Sequence, residues 1–196
     1  MNKQQLEQQF LEYFSQSFGL FRPKPFKQLG IDCDVKTYQK GQNLIEQGQP
    51  APHMFFVASG LVRYVCTSAN GKEFSKYFLT GPGLVGSSRS MLRKQHSYFS
   101  IEALEPTLCL RIEWDDFYRN MKPQEGFMET YTAMIESLFL MKEEREASFV
   151  LQDAEQRYLQ FVNSHPDFLG RIPLQHIASY IGITPVALSR IRKRLG

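Results

Sequence analysis

Between about residues 30 and 114 the chain is divided into short runs that no long helix can use. DVKTY, NLIEQ, HMFFVA, LVRYVCT, EFSKYFL, FSIEALE and TLCLRIEW follow one another as alternating or apolar stretches, and glycines fall among them at 41, 48, 60, 71, 81, 83 and 86. Asn70-Gly71 lies between LVRYVCTSA and KEFSKYFL. Both residues tolerate positive φ, so the pair predicts a hairpin. Many short strands joined by regular turns close into a sandwich or barrel. The segment is predicted to be all-β.

The flanks have a different period. Leu6, Phe10, Tyr13 and Phe14 recur at helical spacing and predict an amphipathic helix over residues 3–18. From 124 to 149, Phe127, Tyr131, Met134, Leu138 and Met141 form a heptad stripe, with Met128, Ile135 and Phe139 beside it. A long helix with two apolar stripes can pack on its own domain with one and on a second copy with the other. The five heptad residues are the expected dimer interface, although an ordinary core helix would show the same stripe. Asp153 with Gln156 reads as a capping box that opens a third helix, AEQRYLQFVNSH, which turns Tyr158, Phe161 and Val162 inward and is closed by Pro166. Three segments follow: an N-terminal β domain over 1–123, a central helix over 124–150 and an all-α tail over 151–196.

Charge separates the tail from the rest. Residues 170–196 hold five bases and no acid, whereas the first 169 hold the other 18 bases against all 20 acids. The net charge of +3 therefore splits into −2 and +5, an asymmetry that points to a polyanion such as nucleic acid. A hydrophobic content of 42% supports a packed core, and no run has the length needed to span a bilayer. Cys33, Cys66 and Cys109 lie far apart with no CxxC, so they make neither a disulfide framework nor a zinc site. Reduced thiols and an N-terminus unlike a signal peptide predict a cytoplasmic protein.

The tail also carries a position-by-position pattern. Ala178 is small where a second helix must cross closely, and Gly182 can take the left-handed conformation that ends a helix. Ile177, Ile183, Leu188 and Ile191 are apolar where two helices must anchor to each other. Thr184 suits an N-cap and Pro185 the first helical position. The pattern predicts a helix-turn-helix whose second helix enters the major groove of double-stranded DNA. Val186 offers apolar contact to a thymine methyl, Ser189 can donate or accept, and Arg190 can reach a guanine or a phosphate. Arg192, Lys193 and Arg194 read as phosphate contacts. A plain helical hairpin with a solvated basic end would not need these restrictions.

A glycine-punctuated β domain, a long helix and a helix-turn-helix, in that order, resemble the cyclic-AMP-receptor/Fnr (Crp/Fnr) family of bacterial transcription regulators. The resemblance runs from about Val35 to Leu195 and rests on YQKGQNLIEQGQPAPHMFFVASGLVR, the hairpin at Asn70-Gly71, and LTGPGLVGSS followed by SIEALE. TPVALSRIRKRL is similar to the subgroup common in Bacteroidetes-type bacteria. The resemblance implies an α+β chain: an N-terminal β-roll (a jelly roll like that of cyclic-nucleotide-binding domains), a long central dimerisation helix and a C-terminal helix-turn-helix. It places an effector pocket at Gly86, Ser87, Ser88, Ser97 and Tyr98.

Several family features are replaced. Nucleotide-binding members carry Gly-Glu where this chain has Gly86-Ser87, and an Arg where it has Ser97. Without those charges a cyclic phosphate loses its strongest interactions, so cyclic AMP is not the expected ligand and no cofactor is assigned. Three scattered cysteines cannot supply the four thiolates of an iron–sulfur cluster, and His53, His96, His165 and His176 show no spacing that marks a haem ligand. Pro185 and Val186 stand where well-studied members read a TGTGA half-site with Arg and Glu, so a different operator is expected. No C-terminal β wing is expected after the second helix. Metal-oxygenase chemistry in a small barrel would need clustered histidines with a carboxylate, and no GxSxG, P-loop or GxGxxG occurs. The chain is expected to be a homodimeric DNA-binding regulator rather than an enzyme. RNA polymerase and a small-molecule effector are its further candidate partners, and the alternative is a sensing or protein/RNA-interaction module that binds no specific DNA sequence.

Overall fold

The computed structural model describes residues 1–18 and 24–195; Gly196, with which the expected tail ends, lies outside the described residues. Helix α1 (Lys3–Phe18) buries Leu6, Phe10 and Phe14, one residue per turn along a single face. A single turn, α2 (Phe26–Leu29), ends at Gly30 in the left-handed region. Eight strands follow: β1 (Cys33–Tyr38), β2 (Asn43–Ile45), β3 (His53–Ser59), β4 (Leu61–Thr67), β5 (Glu73–Thr80), β6 (Gly83–Gly86), β7 (Ser100–Ala103) and β8 (Thr107–Glu113). A short helix, α3 (Ser88–Arg93), interrupts them. The strands form two antiparallel four-stranded sheets, ordered β1-β8-β3-β6 and β2-β7-β4-β5. The fold is the α+β arrangement with a β-roll that the sequence predicts.

Burial explains why HMFFVAS reads as one apolar run rather than an alternation. Phe55 and Val57 face the space between the sheets, with Val62, Val85, Ile101 and Cys109. Met54, Phe56 and Ala58 face the other way and are covered by Leu6, Phe10, Phe14, Phe117 and Phe127. A strand buried on both faces loses its alternation. The hairpin forms between β4 and β5, but by a five-residue turn, 68–72, closed by the Ser68 amide on the Lys72 carbonyl. Only Gly71 takes positive φ there. Asn70 acts through its side chain instead, its Oδ1 accepting from Ser68 Oγ at 2.6 Å. The expected hairpin is therefore present, with only one of its two turn residues in the left-handed region.

After β8, α4 (Trp114–Met121) starts on a cap in which the Asp116 amide donates to the Glu113 carboxylate, and the chain then enters α5 (Phe127–Leu151). The tail holds α6 (Ala154–Ser164), a 3-10 turn (Pro166–Phe168), α7 (Leu174–Ile181) and α8 (Pro185–Leu195). The Asp153–Gln156 capping box opens α6 with both reciprocal hydrogen bonds, at 2.8 and 2.9 Å. The tail does not have a core to itself. Tyr158, Phe161, Phe168, Ile177, Ile181 and Leu188 pack in one cluster with Leu61, Phe78 and Leu104 of the roll.

Candidate nucleic-acid interface and effector pocket

Helices α7 and α8 cross at Ala178, which is completely buried beside Ile177, Ile181, Leu188 and Ile191. Gly182 ends α7 at φ 86°, and a Cβ there would sit 2.9 Å from the Phe149 ring. Two arginines serve the exposed end of α7: Arg145 from α5 donates to the Tyr180 carbonyl at 2.9 Å, and Arg157 from α6 donates to the Ile181 carbonyl at 3.0 Å. Carbonyls left over at a helix C-terminus attract such cations. Thr184 Oγ1 accepts from the Ala187 amide at 3.2 Å and Pro185 begins α8.

With Leu188 and Ile191 turned inward, the remaining faces of α8 point to solvent. Thr184, Pro185, Val186, Ser189, Arg190, Arg192, Lys193 and Arg194 are all exposed. Val186, Ser189, Arg190 and Lys193 share one face by their spacing of three and four. Arg194 differs from the other bases because its guanidinium pairs with Glu155 of α6. Part of the charge expected to meet a phosphate is therefore spent within the tail.

In α5 the expected heptad stripe divides. Phe127 is fully buried against Phe14, Phe117 and Tyr118, and Tyr131 and Met134 pack on the same core. Phe127 is thus taken up within the protomer, whereas Tyr131 and Met134 are only partly covered there. The physical reason is α1, whose aromatic face lies against the first turns of α5. Along the heptad stretch the exposed apolar side chains are Met128, Ile135, Leu138, Phe139 and Leu140, with Met141 partly covered; Phe149, Val150 and Leu151 are exposed at the end of the helix.

Two of the groups expected in the effector pocket, at Gly86 and Ser97, are already in hydrogen bonds within the protein. The Gly86 amide donates to the Tyr64 hydroxyl at 3.2 Å, and the Tyr64 ring lies 5.0 Å from that of Phe99. Burial pushes the Tyr64 phenol above its ordinary pKa. Ser97 is buried, its Oγ donating to the Phe99 carbonyl at 2.8 Å. Ser87 is buried with its Oγ unpartnered by protein atoms. Ser88 and Tyr98 are exposed, and the Arg89 guanidinium lies 3.9 Å from the centre of the Tyr98 ring. Tyr64, Phe99 and Tyr38 pack on the apolar interior instead. A cyclic nucleotide needs a cation for its phosphate and an acceptor for its ribose, and the residues at 87 and 97 supply neither, so this donor set does not fit one. Among the described residues no His, Cys, Asp or Glu group could hold a metal ion, and no helix is long and apolar enough to cross a membrane. Burial pushes the Cys33 and Cys109 thiols up to about 12.

One contact set was not read from the sequence. Arg63 in β4 is 3% exposed and joins Glu73, Glu102 and His176 of α7. Its signal was present, since an arginine in the middle of the apolar run LVRYV must find partners. Which partners those were depended on where the tail docks.

Residues 35–123 match the family described as the cyclic nucleotide-binding domain. The anaerobic regulatory protein of Pasteurella multocida (strain Pm70) is 28% identical over 172 residues, covering 82% of this chain and 62% of that protein. The chain thus spans less than two thirds of that relative's length. Among solved structures, FixK2 from Bradyrhizobium japonicum superposes with a TM-score of 0.73 at 16% identity, covering 84% of each chain. A CooA variant from Carboxydothermus hydrogenoformans superposes with a TM-score of 0.70 at 19% identity, covering 88% of this chain and 80% of that one. Over residues 35–123 the chain thus matches a cyclic nucleotide-binding domain, and across most of its length it shares the fold of the solved structures on which it superposes.

Proposed function

We propose that the chain is a transcription regulator that binds duplex DNA as a homodimer through α8 and reads an inverted repeat. The observation that supports this most directly is the form of the tail. Buried Leu188 and Ile191 fix α8 on α7 while Val186, Ser189, Arg190 and Lys193 stand free on one face. That is the arrangement of a recognition helix, with base-reading side chains in its first turns and cations behind them. Two copies meet through the outward stripe of Met128, Ile135, Leu138 and Phe139. Their recognition helices enter successive major grooves, roughly 34 Å apart. The β-roll is not a cyclic-AMP receptor, and the chain is not an enzyme. Small-molecule control acts, where it exists, through a ligand other than a cyclic nucleotide.

The test is selection of random duplex DNA by the purified protein with no ligand added. An enriched inverted repeat, with half-sites about one helical turn apart, is expected. Folded, dimeric protein that enriches nothing, both alone and in cell extract, rejects the reading in favour of a module that does not recognise duplex sequence.

A further inference from the structure

The docking of α7 on the roll is polar at its edge, and its centre is an arginine that water scarcely reaches. Arg63 Nη1 lies 2.6 Å from His176 Nδ1. A guanidinium has donors only, so Nδ1 must present its lone pair and the ring must be the neutral tautomer protonated at Nε2. Arg63 cannot turn away to admit a second proton. It stands opposite Glu102 in the β4–β7 register; its Nε and Nη2 donate to Glu102 Oε2 at 3.0 and 2.6 Å, and Nη2 also donates to Glu73 Oε2 at 2.8 Å.

We propose that His176 and Arg63 form a proton-sensitive latch between the tail and the β-roll, in which protonating the imidazole loosens α7 from β5. A proton on Nδ1 would set one N–H against another where a hydrogen bond now closes, and would place a second cation beside a guanidinium that is 3% exposed. The charges that act on the ring are Arg63 from β4, Glu73 from β5, Glu102 from β7 and Lys40 from the turn between β1 and β2. Burial, then Arg63, draw the His176 pKa below its ordinary 6.5; the two carboxylates act in the opposite sense and are outweighed. The sign follows from that depression. Above 6.5 the ring is neutral whether docked or free and the latch has its full strength; as pH falls through the lowered docked value, that strength is lost.

The interface contains its own reporter. The Ser75 amide of β5 donates to Ser179 Oγ of α7 at 2.9 Å, and Ser179 Oγ donates back to the Glu73 carbonyl at 3.0 Å. The Ser75 amide is thus protected from exchange by a group that leaves when α7 leaves. The latch itself does not depend on what the tail binds. Only the consequence, a tail freed to reposition α8, rests on the DNA-binding reading, and the test below uses no DNA.

Hydrogen exchange at the Ser75 amide of the full chain, expressed as a protection factor, would be followed from about pH 7.5 to about pH 5, the range in which histidine titrates. Protection should fall by about tenfold for each unit by which docking lowers the ring's pKa. In His176→Gln, whose side-chain carbonyl can accept from Arg63 but cannot titrate, protection should stay flat. An equal fall in that variant, or flat protection in the wild type, overturns the latch. Should the variant fail to dock at any pH, the wild-type imidazole titration followed by NMR decides the matter. Its midpoint must lie below 6.5 and coincide with the loss of Ser75 protection; a midpoint at or above 6.5 rejects the proposal.

Discussion

Thr184 sets the start of α8 with a single oxygen, its Oγ1 receiving the Ala187 amide just as Pro185 begins the helix. The side chain is exposed and touches no core, so its removal tests the cap alone. Thr184→Ala should cost about 1 kcal/mol in denaturant unfolding, with no change in the rest of the fold. The cap, the proline and Gly182 were legible in the sequence because each residue type answers a local backbone demand. Arg145 and Arg157, which satisfy the carbonyls closing α7, were not. Nothing local distinguishes an arginine that reaches a distant helix end from one in solvent, since its long side chain can do either.

At the scale of the element, α5 shows how one apolar pattern serves two purposes. Phe127 and Phe139 are both aromatic residues of one helix, yet Phe127 is fully buried and Phe139 is 67% exposed. Phe127→Ala should destabilise the protomer by about 3–5 kcal/mol, as loss of a buried aromatic does. Phe139→Glu should leave protomer stability within about 0.5 kcal/mol of the wild type and convert the proposed dimer to a monomer in sedimentation analysis. A dimer that survives Phe139→Glu would remove the outward stripe from the interface. The heptad spacing was enough to predict the helix and its two stripes. It could not say which stripe faced inward, because that depends on α1 arriving from more than a hundred residues away in the chain.

For the whole molecule the decisive feature is a core shared between roll and tail. Phe78 of β5 is 2% exposed and lies 5.5 Å from Tyr180, 6.1 Å from Phe161 and 6.2 Å from Phe168, ring centre to ring centre. Arg171 of the tail adds a bidentate pair to Glu105 at 2.6 and 3.2 Å, and that carboxylate holds the guanidinium pKa up. Roll and tail should therefore unfold together. Trp114, the single tryptophan, reports on the cluster beneath α1, which is distinct from the one shared with the tail, and helical circular dichroism records the tail helices together with α1, α4 and α5. The two probes should give coincident transitions in the wild type. In Phe78→Ala the tail's share of the helical signal should be lost before the Trp114 transition; coincidence in that variant would mean that the tail stands on its own core.

What the sequence determined by itself is everything that repeats or is local. The β-roll follows from short runs and turn residues, the helices from their period, the helix-turn-helix from residue sizes at fixed places, and the poor fit to a cyclic nucleotide from Ser87 and Ser97. The tertiary structure decided what depends on docking: which stripe of α5 is free, that Tyr64 takes the Gly86 amide, that Arg194 spends its charge on Glu155, and that Arg63 meets His176 across 113 positions. The division has a physical cause. Backbone preference and hydrophobic period act over a few residues and leave their mark in residue order. A buried ion or a filled pocket is set by groups far apart in the chain, and only the packed molecule brings them together.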